Sequence, residues 1–366
     1  MEGPLSVAKQ FCVQGQVLTV EPFGEGNVND TYLVTMTGGQ EDYLVLQRIN
    51  THVFPHPQWI MSNLRIFGEH VQARLAHEPS RRRWVVPYVQ PTVDGADGFR
   101  DTDGGYWRAL SHVANSFCHQ RVQSSSNAHE VGYALGRFHS LTSDLDVGRL
   151  RDTLPGFHIA PAYLAHYDQV LARLDGGEDP ALVAYGKAFV AARRAWVPVL
   201  EEAKARGELR QRPIHGDPKV NNIMLDCETE QAVSLVDLDT VKPGLVHYDI
   251  GDCLRSCCNP LGEETTDFDE VRFDLDLARS ILEGYLDQAR PFLTASDYAY
   301  MYDCVRLIAF ELGLRFFTDY LERDVYFKVR HREHNLHRAV VQFRLTESIE
   351  AQEDEIRAVI RSCVDK

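Results

Sequence analysis

The sequence predicts an α+β fold in which a small antiparallel β lobe with one helix precedes a larger, mainly helical lobe. A chain of 366 residues exceeds one ordinary domain, so two lobes are expected. Short alternating segments separated by glycine turns occupy the first third, and long segments with helical spacing follow. We place the nucleotide-binding lobe at residues 1–115 and the catalytic and acceptor-binding lobe at residues 116–366.

The N-terminal lobe is predicted to contain five strands and one helix. Glycine pairs such as Gly38-Gly39 are typical of the hairpin turns between strands. Apolar residues at helical spacing predict the single helix over residues 59–76. Alternation of apolar and polar residues predicts strands over 15–20, 30–36, 43–48, 84–90 and 106–113.

The C-terminal lobe is predicted to be helical apart from one strand pair within residues 213–241. A polar, serine-rich segment over 114–126 is predicted to be the hinge between the lobes. Asn127, with Glu130 three residues on, is predicted to cap the first helix. Further helices are predicted over 161–174, 180–205, 271–289, 296–321 and 334–364.

Composition excludes several classes of partner. A hydrophobic fraction of 44% and a charged fraction of 25% are typical of a globular protein, and a formal charge of −15 argues against nucleic acid or an anionic membrane as partner. We expect no secretory signal and no membrane span. Eight cysteines without paired C-x-x-C spacing indicate reduced thiols, with zinc at Cys253, Cys257 and Cys258 the less favoured alternative. We therefore expect a cytoplasmic protein, as a monomer or weak homodimer.

The strand pair carries the strongest chemical motif. Its first strand follows the loop His215-Gly216-Asp217-Pro218-Lys219-Val220-Asn221-Asn222, and its second strand ends at Asp237-Leu238-Asp239. Carboxylates and an amide at the ends of two paired apolar strands suit a site that binds a metal–nucleotide and takes a proton from an attacking hydroxyl.

Each polar residue of this motif suits one part of phosphoryl transfer. Asp217 can serve as base, and Lys219 can reach the γ-phosphate. Asn222 and Asp237 offer the hard oxygen ligands that Mg²⁺ prefers. A turn aspartate, a capping asparagine and a strand-end charge are each common alternatives, but their coincidence at this spacing favours the catalytic interpretation.

These residues resemble a known family. The pattern His215-x-Asp217-x-Lys219-x-x-Asn222, followed by Asp237 after an apolar strand, is similar to the catalytic and metal loops of the aminoglycoside-phosphotransferase and choline-kinase branch of the protein-kinase-like fold. More narrowly, the chain resembles the N-acetylhexosamine 1-kinases. That narrower resemblance rests on Gly24-x-Gly26-x-x-Asn29-x-Thr31-Tyr32, Leu46-Gln47-x-x-Asn50, Val236-Asp237-Leu238-Asp239-Thr240, Tyr320-Leu321-Glu322-x-Asp324-Val325-Tyr326-Phe327 and Glu333-His334-Asn335-Leu336.

The resemblance implies a bilobal kinase fold that uses ATP and Mg²⁺, with Asp217 as base and Asn222 and Asp237 as metal ligands. Asp239 is either a second acidic group near the metal or a structural acceptor for a loop amide. The nucleotide is expected to contact Gly24, Gly26, Asn29, Gln47 and the backbone of Val113 at the hinge.

The third strand departs from the kinase pattern. A phosphate-contacting lysine is usual there, and this chain has Gln47 followed by Arg48. Alternation sends the two side chains to opposite faces, so only one can point into the cleft. We favour Gln47, because Leu44 and Leu46 face the same way as Arg48.

The acceptor is expected to contact Asn27, Arg315 and Tyr326. Asn27 occupies a glycine-loop position at which related sugar kinases can present a histidine. For Arg315 the alternative is a salt bridge with Asp319 or Asp324, and for Tyr326 it is a plain core position. His215 and Asp249 are predicted to be structural to the site, since both can brace the loop that carries Asp217.

The resulting hypothesis is an ATP- and Mg²⁺-dependent kinase for the anomeric hydroxyl of an N-acetylated hexosamine. Another hydroxyl acceptor, such as an aminoglycoside, a different sugar or an amino alcohol, is the first alternative. A nucleotide-binding pseudokinase is the second, and the joint presence of Asp217, Asn222 and Asp237 argues against it.

Overall fold

A computed structural model describes residues 3–24, 28–39, 41–78, 82–174 and 180–364. The predicted α+β architecture is confirmed, with an antiparallel sheet in the first third of the chain and helices dominating the remainder. Within these ranges, no helix is both long enough and apolar enough to cross a bilayer.

Among the described residues, the N-terminal part contains six strands and two helices. They are α1 (Pro4–Ala8), β1 (Gln16–Pro22), β2 (Asp30–Thr37), β3 (Tyr43–Ile49), α2 (Pro57–His77), β4 (Val89–Gln90), β5 (Phe99–Arg100) and β6 (Tyr106–Ser111). The strands form one sheet in the order β1-β2-β3-β6-β4, with β5 paired to β6 and every pair antiparallel. One face packs on α1 and the other on α2.

Two strand predictions were too long. The strand expected over 84–90 is only Val89–Gln90, because Val85 donates its N–H to the carbonyl of Val233 in the following part of the chain instead. The strand expected over 106–113 ends at Ser111. The two-residue strand β5 was not predicted.

The prediction of a single strand pair in the C-terminal part was wrong. β7 (Ser116–Phe117) lies within the segment predicted to be a hinge and pairs with the first motif strand. The other strands are β8 (Arg212–Ile214), β9 (Ile223–Asp226), β10 (Ala232–Leu235) and β11 (Lys242–Gly244). They form a three-stranded sheet, β10-β9-β7, and a two-stranded sheet, β11-β8, and the motif loop lies between the two sheets.

Helices make up most of the rest. They are α3 (Ser125–Thr142), α4 (Ala160–Leu171), α5 (Ala181–Arg193), α6 (Val199–Ala205), α7 (Val246–Cys257), α8 (Leu275–Ala289), α9 (Ala295–Ala299), α10 (Met301–Leu321), α11 (His334–Ala351) and α12 (Glu353–Val364). Three predicted helices are each divided in two, at residues 194–198, 300 and 352. Pro198 accounts for the first interruption, since proline is tolerated only in a first turn.

The predicted cap of α3 was wrong by one turn. Ser124, not Asn127, is the N-cap, and its hydroxyl accepts the N–H of Asn127. Glu130 does not complete a capping box, because its carboxylate binds Arg82 and the N–H of Ala232. The helix then packs against α8 at close range: a Cβ on Gly132 would lie 1.8 Å from the carbonyl oxygen of Ile281. This packing places the buried end of α3 behind the motif loop.

Candidate active site

The motif loop begins at a glycine that no other residue could replace without strain. Gly216 has a φ of +88°, and a Cβ there would lie 2.8 Å from the Cβ of Thr240. The Thr240 hydroxyl also donates to the carbonyl of His215. The loop carrying Asp217 is therefore closely packed against the segment that follows Asp237.

Asp249 lies behind this loop on α7 and is fully buried. Its carboxylate accepts the N–H of His215 at 2.7 Å, the N–H of Gly216 at 2.8 Å and Nε2–H of His139 at 2.9 Å. Burial raises the pKa of Asp249, but these donors lower it by more, so that its pKa lies below the ordinary value. Asp249 is thus an anion that fixes two consecutive peptide groups of the loop.

His215 connects the two motif loops and is neutral. Its Nε2–H donates to the carbonyl of Val236 at 2.9 Å, and its Nδ1 accepts the N–H of Asp217 at 3.2 Å. Complete burial lowers the pKa of His215, which favours this single-proton form. The imidazole therefore holds Asp217 and the start of the Asp237 segment in one arrangement.

Asp217 and Lys219 form an ion pair of 2.8 Å at the surface of the cleft, with about a third of each side chain exposed. Burial raises the pKa of Asp217, but the Lys219 ammonium outweighs it and leaves that pKa below the ordinary value. The same pairing raises the pKa of Lys219. At neutral pH the loop therefore presents the ionised carboxylate of Asp217 beside the ammonium group of Lys219.

Asn222 and Asp237 both lie close to this pair. Asn222 donates Nδ2–H to the carbonyl of Asp217 at 2.8 Å, and its own carbonyl accepts the N–H of Val236. Asp237 has a left-handed φ of +62° and opens to the cleft. Desolvation by the walls of the cleft, with repulsion from Asp239 and Asp217, raises the pKa of Asp237 to about 7.

This environment fits a divalent cation. A carboxylate whose pKa is raised by desolvation and by two neighbouring carboxylates is one that a bound cation would stabilise. The amide oxygen of Asn222 and the carboxylate of Asp237 are hard ligands of the kind Mg²⁺ prefers. In the described part of the chain, no three His, Cys, Asp or Glu side chains are arranged to hold a metal by themselves. A cation here would thus complete its shell with other oxygens, such as those of a bound phosphate.

Asp239 is buried and belongs to a different network. It accepts Nδ2–H of Asn29 at 2.7 Å, and it forms a buried ion pair with Arg108. The amide oxygen of Asn29 accepts the N–H of Asn50 at 3.0 Å. Asn29, predicted to contact the nucleotide, therefore ties the glycine-loop region to the Asp237 segment.

Arg108 is the main residue that sequence reasoning missed at this end of the site. It lies on β6 opposite Gln47 of β3 and is 1% exposed. Its Nε and Nη2 donate to the amide oxygen of Gln47 at 3.0 and 2.7 Å. Its Nη1 is buried and finds no acceptor among the described residues. The available signal was a lone arginine inside the apolar strand Tyr106–Ser111.

This network shows which of Gln47 and Arg48 lies on the Asp239 side of the sheet, while the predicted nucleotide contact stays a prediction. Gln47 faces the site and also donates to the hydroxyl of Thr31 at 3.1 Å. Arg48 points to the opposite face, where its guanidinium lies 5.9 Å from the Trp107 ring and 4.0 Å from Asp101. The strand alternation indicated this correctly.

The structure describes only some of the other residues predicted to contact the nucleotide or the acceptor at the glycine loop and hinge. Gly24 lies in a bend two residues after β1, with a φ of +74°, and Gly26 and Asn27 lie outside the described residues. Val113 is buried, and its carbonyl accepts the Ser116 hydroxyl at 2.6 Å.

Arg315 and Tyr326 line one cavity of about 250 Å³. The Arg315 guanidinium lies 5.0 to 5.8 Å from the ring centroids of Phe157, Tyr163, Phe327 and Tyr326. Tyr326 is 57% exposed, so that it is not a core position. Aromatic faces attract a guanidinium but leave its N–H donors unbonded.

The salt bridges considered for Arg315 do not form. Asp319 accepts the N–H groups of Tyr326 and Phe327 at 2.7 and 3.0 Å, and thereby fixes the loop after α10. Asp324 pairs with Arg332 at 2.9 Å. In the part of the chain that the structure describes, the positive charge of Arg315 is directed at rings and the cavity.

The cavity adjoins the motif loop through two further residues that were not predicted. Phe157 lines the cavity, and its neighbour His158 binds the carbonyl of Gly216 at 2.9 Å. The other nitrogen of His158 binds Glu311, which lies one helical turn before Arg315 on α10. These contacts bring Asp217 and the cavity to the same end of the helical part.

Comparison with known proteins agrees with this arrangement. A family model described as "Phosphotransferase enzyme family" matches residues 19–292. An aminoglycoside phosphotransferase from Alicyclobacillus acidocaldarius has a TM-score of 0.66 at 16% identity, over 99% of this chain and 97% of that one. A microcompartment-associated aminopropanol kinase has a TM-score of 0.63 at 16% identity, over 96% and 98%. A choline kinase from Cryptosporidium parvum has a TM-score of 0.57 at 12% identity, over 95% and 93%. At such identities the likeness establishes the fold.

Proposed function

The chain belongs to the phosphotransferase enzyme family, and on that premise we propose that it transfers the γ-phosphoryl group of ATP to the anomeric hydroxyl of an N-acetylated hexosamine. The observation that carries the proposal is the convergence of Asp217, Asn222 and Asp237 beside a cavity lined by Arg315, which forms no ion pair with the residues that the structure describes. The division into a nucleotide-binding part before residue 116 and a catalytic, acceptor-binding part after it belongs to the same proposal, as do a cytoplasmic location and a monomeric or weakly dimeric state.

Asp217 orients the acceptor hydroxyl and accepts its proton. Its lowered pKa keeps the carboxylate ionised at neutral pH, which the role requires. Lys219 holds that carboxylate in the free enzyme, and its half-exposed ammonium can turn to the negative oxygens of the group being transferred. The chain contributes placement and electrostatics, and no covalent intermediate is needed.

Asn222 and Asp237 would hold the magnesium ion. The ion would supply positive charge to the phosphate oxygens of the nucleotide. What the chain itself provides is the fixed position of the two ligands: His215 and Asn222 tie the Asp217 and Asp237 segments to each other through the backbone at Val236.

Arg108 replaces the lysine that this fold usually carries on the third strand. It lies directly across from Gln47, and its unbonded Nη1 provides a donor for a nucleotide phosphate. The ion pair with Asp239 fixes the guanidinium, so that little conformational entropy is lost when a phosphate binds.

The cavity favours a neutral sugar over a cationic acceptor. Among the charged residues lining it, Asp319 is occupied by backbone N–H groups and Glu322 by His166. Arg315 is left to donate to a carbonyl or hydroxyl, as an acetamido group and a sugar ring offer. The rings of Phe157 and Tyr326 provide apolar faces for the sugar. A quaternary or primary ammonium ion would be repelled by Arg315.

The proposal is tested with an acceptor panel and a coupled ATP assay. GlcNAc and GalNAc should be converted faster than glucose, choline, an amino alcohol or an aminoglycoside. Phosphorus NMR of the product should show the phosphate on C1. Preferential conversion of an ammonium-bearing acceptor would refute the sugar assignment. Nucleotide binding without product from any acceptor would favour the pseudokinase alternative.

A further inference from the structure

The peptide group between Gly216 and Asp217 is held at both ends by histidines. His215 accepts the N–H of Asp217 through Nδ1, and His158 donates from Nε2 to the carbonyl of Gly216 at 2.9 Å. The Cα of Asp217 is bonded to the nitrogen of this peptide group. The orientation of the peptide group therefore determines where the Asp217 carboxylate points. The two histidines come from different regions, one in the motif loop and one in the segment before α4.

The two imidazoles have different protonation states. His215 faces one acceptor and one donor, which a neutral ring satisfies. His158 faces two acceptors, because Nδ1 lies 3.0 Å from the carboxylate of Glu311 while Nε2 lies against the Gly216 carbonyl. Both nitrogens must donate, and only the imidazolium has two N–H groups. With Glu311 as a carboxylate, these contacts are those of an imidazolium.

Its surroundings favour that charge. His158 is 3% exposed and Glu311 is 1% exposed, so that water screens the pair little. Asp252 of α7 adds a second negative charge, which is shared with Arg255 at 2.8 Å, and Arg315 also interacts with Glu311. The Tyr248 ring stacks on the imidazole with centroids 5.5 Å apart. Burial lowers the pKa of His158, but Glu311 and Asp252 raise it by more, and its pKa lies above the ordinary value.

The backbone at this position is unusual as well. His158 has a φ of +65°, a left-handed conformation that residues with a Cβ seldom adopt. Such conformations persist where surrounding contacts determine them, and they concentrate at functional sites. Here the conformation lets Phe157 line the acceptor cavity while His158 turns back to the loop.

We propose that His158 is a positioning residue for phosphoryl transfer, and that its imidazolium, paired with Glu311, sets the placement of the Asp217 carboxylate against the acceptor hydroxyl. The inference rests on the proposed function for its kinetic part. It assigns no contact between His158 and substrate: the residue acts through the Gly216 carbonyl.

Two variants test the kinetic part. Glu311→Gln and His158→Gln should each lower kcat by about 10- to 100-fold, the size of effect expected for a small misplacement of a reacting group. The KM values for nucleotide and acceptor should change by less than about threefold, since neither residue contacts a ligand. His129→Gln is the matched control, because that half-buried histidine of α3 pairs with Asp287 of α8 at 3.3 Å, outside the residues assigned to the site. Its kcat should stay within about twofold of wild type.

The pH profile distinguishes positioning from general destabilisation. Deprotonation of His158 breaks the contact with Glu311 or Gly216, so that kcat should fall on the alkaline side. Glu311→Gln removes the carboxylate that retains the proton and should move this limb to lower pH. An unmoved limb, an unchanged kcat or a loss confined to KM would overturn the proposal.

The charge can be measured without any acceptor. Nitrogen-15 NMR of histidine-labelled protein distinguishes an imidazolium from a neutral ring, with the His158→Gln spectrum supplying the assignment. The His158 signals should remain those of an imidazolium well above the pH at which exposed histidines titrate, and they should titrate earlier in Glu311→Gln. A neutral His158 at pH 6 would overturn the inference whatever the chain phosphorylates. Failure of the acceptor panel alone would leave the NMR result standing and refute only the proposed function.

Discussion

Two arginines lie at opposite ends of the site, and the chain surrounds them differently. Arg108 is 1% exposed and is held by the carboxylate of Asp239 and the amide of Gln47. Arg315 is half-buried among aromatic rings and faces a cavity. Arg108 is fixed by one carboxylate and one amide and, among the described residues, keeps a single unbonded nitrogen, Nη1. Arg315 contacts rings and has no ion pair among the described residues that fixes its guanidinium. The ion pair of Arg108 with Asp239 is therefore expected to stabilise the fold as well as to serve the site. The guanidinium of Arg315, which contacts ring faces, is expected to contribute to ligand binding and little to stability.

The largest effect is expected at Asp217. Asp217→Asn should lower kcat by about 10² to 10⁴, because it removes the acceptor of the hydroxyl proton and leaves both arginines in place. Nucleotide affinity, measured by calorimetry, should change little. Asp144→Asn, at an exposed ion pair with Arg74, is the control. Normal turnover in Asp217→Asn would show that the site is assigned wrongly.

Arg108→Met tests the arginine that is ion-paired within the protein. It leaves Asp239 buried without its cation, and breaking such a pair costs about 3–5 kcal/mol. The free energy of unfolding in urea should fall by that amount, and nucleotide KM should rise. Arg48→Met on the opposite face of the same sheet, with its loose pair at 4.0 Å, should cost less than about 1 kcal/mol. An equal loss of unfolding free energy in the two variants would show that the buried pair of Arg108 stabilises the fold no more than the loose pair of Arg48.

Arg315→Met should weaken acceptor binding and leave stability nearly unchanged. We expect acceptor KM to rise by about 10- to 100-fold, as for loss of a charged hydrogen-bond donor of 1.5–3 kcal/mol. Nucleotide KM should be unchanged, and the free energy of unfolding should change by less than about 1 kcal/mol, since none of the described carboxylates forms an ion pair with Arg315. Arg332→Met, which removes a similar guanidinium above the Tyr320 ring, should leave acceptor KM alone. An unfolding loss as large as that of Arg108→Met would mean that Arg315 is structural.

The smallest effect is expected at Tyr326. Tyr326→Ala removes one of the rings beside Arg315 and one face of the cavity, so acceptor KM should rise about three- to tenfold, corresponding to about 1 kcal/mol. Tyr326→Phe keeps the ring and should behave as wild type in the same assay. If Tyr326→Phe loses as much as Tyr326→Ala, the hydroxyl rather than the ring is the contact.

The features that could be read from sequence are local ones. Asp217, Asn222 and Asp237 are found because strands and turns place neighbours in sequence at predictable positions, and the two-part α+β architecture follows from the change in periodicity. Boundaries were less well predicted: Ser124 and Asn127 are both good capping residues, and only the backbone geometry shows which one is used.

Contacts between distant segments could not be read. Arg108 and Asp239 are 131 residues apart, and His158 and Glu311 are 153 residues apart. A lone arginine in an apolar strand or a histidine before a helix has many structural explanations when its partner is unknown. Arg108 and His158 become informative only when the packing shows which acceptors their side-chain nitrogen atoms contact.

The position of Arg108 has a practical consequence for how this chain would be detected. A search that demands a lysine on the third strand would class it among inactive relatives, although a positive charge reaches the same place from the neighbouring strand. Nucleotide probes that acylate the strand lysine of kinases would find an amide and a guanidinium there, neither of which they label. The amine that the motif loop offers instead is Lys219, so a labelled peptide from this chain should contain residue 219 rather than residue 47.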